Sequence, residues 1–140
     1  MTNMELQDNL PMLLMRTYMP VKQEMLRLSE KHDLTLMQAY AMCVLEPHAT
    51  VPTNSLSNYL WCDPSNITGV VDRLVAGGYL ERGEHPTDRR VKTITLTAKG
   101  QKLRQDFYQQ TALIAVPGLS RLAAAEQTEF QRLLVKIQLG

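Results

Sequence analysis

The most constraining stretch of the chain runs from Asp63 to Gly78. Asp63 is a good helix N-cap, Pro64 suits the first helical position, and the pair Gly77-Gly78 stops a helix. Between them Ile67, Val70, Val71 and Leu74 recur at i, i+3, i+4 and i+7, which predicts an amphipathic helix with one apolar stripe. Burying that stripe turns Ser65, Gly69, Asp72, Arg73 and Ala76 outward, with Asn66 and Thr68 on the flanks. A helix that docks by one face and offers hydroxyl, amide and guanidinium groups on the other has the form needed to enter a DNA major groove. Its N-terminus also offers unpaired backbone N–H groups to a phosphate.

The flanking sequence places this helix in a larger pattern. Downstream, Tyr79 to Arg82 and Lys92 to Leu96 read as two strands, Ile94 and Leu96 on one side of the second and Thr93 and Thr95 on the other. The polar loop from Gly83 to Arg90 joins them into a hairpin with a long charged tip. Upstream, Asn54 or Thr53 caps a short helix from Ser55 to Leu60, with Leu56, Tyr59 and Leu60 inward. Before it, a helix near Thr35 to Leu45 carries Leu36, Tyr40, Cys43 and Val44 on its apolar face and ends at Pro47. The stretch from His48 to Thr53 reads as a connector. A long helix over residues 9–32, capped by Asn9, carries Leu10, Leu14, Val21, Met25 and Leu28, and Pro20 predicts a bend or a split within it. Thr97 caps a helix running toward Val116, broken by Pro117-Gly118. A last helix from about Ala124 holds Phe130, Leu133, Leu134 and Ile137 on one face. The expected fold is mainly α with a small β-hairpin wing, a winged helix-turn-helix in one domain of 140 residues.

Charge distribution supports a polyanionic partner. The chain as a whole is nearly neutral at +1, but residues 73–104 hold eight basic against three acidic residues, a net +5, and the remainder is net −4. Arg89 and Arg90 sit beside Asp88 at the hairpin tip, where an arginine can enter a narrow minor groove while a carboxylate holds its geometry. No apolar run approaches a membrane span of ~18 residues, and the polar, acidic start lacks the pattern of a secretory signal. Two cysteines are too few for a disulfide scaffold. A cytoplasmic location without membrane attachment is expected.

The run from Ser65 to Arg82, preceded by Asp63-Pro64, resembles the recognition helix of the MarR family. His85-Pro-Thr-Asp-Arg-Arg followed by Thr95-Leu-Thr-Ala-Lys-Gly is similar to that family's wing and next helix, and Leu34-Thr-Leu-Met-Gln to its second helix. The strong motifs cover roughly residues 34–104. The resemblance implies a dimeric winged-helix transcriptional regulator, often a repressor. Residues 1–33 and 105–140 would supply the dimerisation helices and residues 34–104 the DNA-binding lobe. Carried over by position, Ser65, Asn66, Thr68 and Arg73 contact DNA from the helix, and Arg90 is the wing arginine oriented by Asp88, with Arg89 beside it. Relatives commonly carry a longer, often basic residue where Gly69 stands. Here the backbone approaches DNA closely at Gly69, or fewer bases are read.

Other residues leave alternatives open. The apolar stripes of the first and last helices exceed what a small winged helix covers by itself, which predicts a symmetric homodimer on a near-palindromic duplex. Met12, Met15, Met19 and Met25 fit core or dimer filling, or a pliable wall for a small aromatic effector to which Tyr18, Tyr40 and Trp61 could contribute. Cys43 reads as a packing thiol and Cys62 as a candidate oxidant sensor. His32, His48 and His85 are too dispersed for a metal site, and no cofactor is expected. There is no nucleophile elbow or phosphate loop, so an enzyme is not expected. The competing reading is a winged-helix protein-interaction module without DNA binding, supported by Gly69 and the near-zero net charge.

Overall fold

A computed structural model of the chain describes residues 2, 5 and 7–138, which divide into two compact units. One combines residues 1–24 with 114–140 and the other comprises residues 25–113. Helix α1 spans Leu10–Lys31 and opens with the Asn9 side chain accepting a hydrogen bond from the Met12 amide at 3.2 Å. The helix runs unbroken through Pro20, so it is not split into two shorter helices there. Pro20 is exposed, so the Arg16 carbonyl that it leaves unbonded can be met by water.

In the larger unit, α2 (Leu36–Val44) opens with a capping box. Thr35 Oγ1 accepts from the Gln38 amide at 3.2 Å, and Gln38 Oε1 accepts from the Thr35 amide at 3.0 Å. The buried residues of α2 are Gln38, Ala39, Ala41 and Met42, and Tyr40 is exposed. The expected face, built on Leu36, Tyr40, Cys43 and Val44, is rotated. Small alanines let α2 approach α4 and α5 closely, and a reading weighted by side-chain size overlooks them.

A three-residue strand β1 (Thr50–Pro52) follows where only a connector was expected, then a 3₁₀ turn (Thr53–Leu56) and the one-turn helix α3 (Ser57–Leu60). Leu56 and Leu60, four residues apart, point into the core, which turns Tyr59 outward rather than inward. Trp61 ends α3 with φ 51° and ψ 42°, a left-handed conformation that costs a residue with a Cβ roughly 1 kcal/mol. Helix α4 (Pro64–Ala76) buries Ile67, Val71 and Leu74. It closes with a Schellman motif in which Gly78 takes φ 78°, its N–H donates to the Val75 carbonyl, and the Tyr79 N–H donates to the Leu74 carbonyl.

Strands β2 (Leu80–Glu84) and β3 (Lys92–Leu96) form the expected hairpin, and β1 joins it to give the antiparallel order β1-β3-β2. Pro52 is tolerated because β1 lies at the sheet edge. Helix α5 (Ala98–Thr111) is capped by Thr97, whose Oγ1 accepts from the Gly100 amide at 3.1 Å and donates to the Gly78 carbonyl at 2.6 Å. It ends five residues short of Val116. Ile114 and Val116 are poor helix formers, and Pro117 disfavours helical backbone before it. The core of this unit joins Met42, Leu45, Leu56, Leu60, Ile67, Val71, Leu74, Leu80, Ile94, Leu96 and Leu103. In the smaller unit a 3₁₀ turn (Leu119–Arg121) precedes α6 (Ala124–Gln138), where Glu126 accepts from the Ala123 amide at 2.8 Å.

Candidate nucleic-acid interface

Helix α4 presents the face that its sequence requires. Ser65, Asn66, Thr68, Gly69, Asp72, Arg73 and Ala76 are all exposed, and Val70 is half-buried at the edge of the stripe. The helix is preceded by Asp63 in extended conformation, but its carboxylate makes no capping bond, so the N-terminal amides of α4 are not closed by it. Thr68 Oγ1 donates to the Pro64 carbonyl at 3.2 Å, which leaves its lone pairs outward. A Cβ at Gly69 would meet no atom within 4 Å. Packing within the chain therefore gives no reason for glycine there.

The wing is organised by short-range hydrogen bonds. Arg90 Nε and Nη2 donate to the two oxygens of Asp88 at 3.1 and 3.2 Å, and the Arg90 amide donates to the same carboxylate at 3.1 Å. The Arg90 guanidinium first, and its backbone N–H second, hold the Asp88 carboxyl below the usual range. The Arg90 side chain is nonetheless 91% exposed, so the carboxylate aims it without covering it. Lys92 Nζ reaches Glu84 at 3.0 Å across the hairpin and the Arg89 carbonyl at 3.3 Å. Arg89 is exposed.

Thr68 and Arg90 converge on one groove of about 350 Å³. Its walls include Thr53, Asn54, Ser57, Pro64, Val91 and Lys92, so helix α4, the wing base and the 3₁₀ turn contribute to one concave surface. Arg73 lies elsewhere. It lines a second cleft of about 440 Å³ together with Glu30 of α1, Asp33 in the turn after it, Thr35, and Gln38 of α2. Ser65, Asn66, Gly69 and Arg89 line neither groove. The wing is tied to α4 by an ion pair between Arg82 of β2 and Asp72.

Residues 34–92, which hold both α4 and the wing, match the sequence model of the MarR family. Over these residues the chain is similar to the MarR family. The uncharacterized HTH-type transcriptional regulator YfiV of Bacillus subtilis is 27% identical over 97 residues, 69% of this chain and 61% of YfiV. The chain thus spans less than two thirds of that relative's length. The HTH-type transcriptional repressor MdtR of Bacillus subtilis is 23% identical over 133 residues, 95% of this chain and 86% of MdtR. The fold is that of a crystal structure of a MarR cysteine-to-serine mutant from E. coli complexed with operator DNA, with TM-score 0.70 and 23% identity over 98% of this chain and 99% of that one.

Several residues around the groove escaped the sequence reading. Thr53, Asn54 and Ser57 sit in a 3₁₀ turn and a single helical turn, too short to show any periodicity. Lys92 was detectable as a cation at the start of an alternating strand, and Arg82 as a charge on a wing strand, but their partners lie eight and ten residues away in other elements. Neither groove is lined by Tyr40 or Trp61. Cys43 is half-buried and burial pushes its thiol up, opposed by the nearby Arg104 cation. Cys62 is half-buried. Among the described residues no group of His, Cys, Asp and Glu is arranged to hold a metal ion, and no helix is long and apolar enough to cross a membrane.

Proposed function

We propose that this chain is a cytoplasmic, sequence-specific DNA-binding transcriptional regulator that acts as a homodimeric repressor on a near-palindromic operator. The observation that carries the reading is the convergence of Thr68 from α4 and Arg90 from the wing on one concave, cationic surface. Ser65, Asn66 and Thr68 would meet base edges and phosphates in the major groove, and Arg90, aimed by Asp88, the minor groove. Asp88 and Arg89 complete the wing tip, and Gly69 lets the backbone come close to the duplex, having no packing neighbour of its own. Arg73 keeps a smaller share, since it lines a separate cleft whose walls include two carboxylates. Two copies would set their recognition helices about one DNA turn apart, ~34 Å. Release by a small aromatic or an oxidant signal is the regulatory part of the proposal. Of the two cysteines, Cys43 is poorly suited to sensing because burial disfavours its thiolate, which leaves Cys62 as the candidate.

The test is selection of bound duplexes from a random pool, followed by titration at several salt concentrations. Arg90→Ala should weaken binding and reduce the slope of log affinity against log salt by about one, with unchanged thermal stability. Affinity unaltered by this change would refute the wing assignment. Failure to recover any duplex would favour a protein-interaction module.

A further inference from the structure

Residues 32–72, which span α2, α3 and the first two turns of α4, contain no lysine or arginine. A helix-turn-helix docks by laying its first helix across the DNA backbone and its second into the groove, and half or more of protein–DNA hydrogen bonds go to phosphate and sugar. Phosphates on this side must therefore be held by uncharged donors. Across the turn itself, residues 57–67, the exposed ones are Asn58, Tyr59, Trp61, Ser65 and Asn66. Trp61 stands out among them. It is the one tryptophan of the chain, it is 92% exposed, and it occupies the turn that leads into α4. Its backbone is left-handed, a conformation that glycine takes freely and that tryptophan takes under strain. The fold gains nothing from the ring in exchange, because almost none of it is buried.

We propose that Trp61 is a direct DNA-backbone contact, its indole N–H donating to a phosphate while the ring lies against the sugar. The inference rests on the DNA-binding reading above. Indole carries one donor and no acceptor, which matches a phosphate oxygen that only accepts. The exposed residues following Trp61 along the chain, Asp63, Pro64, Ser65 and Asn66, form no apolar patch. Trp61 and the exposed Tyr59, both able to donate a hydrogen bond and followed by polar groups, suit the wet, polar interface of a nucleic acid better than the apolar centre of a protein interface.

Because Trp61 is the sole indole, intrinsic fluorescence reports on it alone. A duplex recovered by selection from a random pool should lower acrylamide quenching of that emission at saturation. Trp61→Phe, which keeps a ring but removes the donor, should reduce affinity about tenfold, the order of one hydrogen bond to a charged group. The salt slope should stay unchanged, because a neutral donor releases no counterion. Trp61→Gly should fold, since glycine suits the turn, and show at least the same loss. An indole that remains equally quenchable in a saturated complex would overturn the proposal and leave the DNA-binding reading standing. An indole already shielded in the free protein would assign it to a contact between copies and overturn the proposal too. If no duplex is retained at all, the DNA-binding reading itself fails and this contact with it.

Discussion

Two glycines show how differently one residue type can act. Gly100 lies in the first turn of α5, and a Cβ there would sit 2.1 Å from the Tyr79 carbonyl oxygen and 3.1 Å from Leu96 Cδ2. The crossing of α5 over the start of β2 therefore demands glycine, and Gly100→Ala should cost about 3 kcal/mol by overpacking, read as a drop in denaturant midpoint. Gly69 is the opposite case, exposed in mid-helix with open space around it. Gly69→Ala should raise stability by about 1 kcal/mol through helix propensity. A destabilised Gly69→Ala variant would show that the open space at this position is filled in solution. Asp88 behaves as an aiming residue. Its carboxyl is lowered by Arg90, so the link is present at neutral pH and is lost only as pH falls through that depressed value.

Among the elements, the hairpin and α4 act as a coupled pair. Asp72 and Arg82 join them, with both side chains about half exposed. An exposed pair contributes little to folding, so Asp72→Ala or Arg82→Ala should cost less than about 1 kcal/mol of stability. The same changes should lower DNA affinity by loosening the wing against the helix, and the charge-swapped double variant should recover part of it. A double-mutant cycle on binding that shows no coupling between the two positions would remove this role. Lys99 adds a second tie, with Nζ 2.7 Å from the Gly77 carbonyl and 4.5 Å from the centre of the Tyr79 ring. The C-terminus of α4 is thus fastened to α5, and its N-terminal turn stays open. The boundaries of α4 and β3 were legible because their caps and periods are local. The sheet's third strand was not, because a three-residue edge strand containing proline has no local signature.

For the molecule as a whole, the unmet requirement is cover for the terminal helices. Leu10, Leu14 and Tyr18 of α1 and Leu133, Val135 and Ile137 of α6 are exposed, and α6 has no buried residue among those described. Apolar stripes of this length in solution call for a partner surface, and a second copy is the symmetric solution. Sedimentation at micromolar concentration should give a dimer, and Leu133→Glu combined with Ile137→Glu should yield a monomer with a folded winged-helix unit. A wild-type monomer would contradict the assignment. The order of elements, the polar face of α4 and the cationic wing could all be read from the chain, since each depends on periodicity, caps or charge within one segment. Long-range packing settled the rest. It turned Tyr40 and Tyr59 outward, drew Thr53, Asn54 and Ser57 alongside Thr68 and Arg90, and set Arg73 in a separate cleft. Each of those outcomes depends on which distant surfaces meet, and no window of neighbouring residues records that.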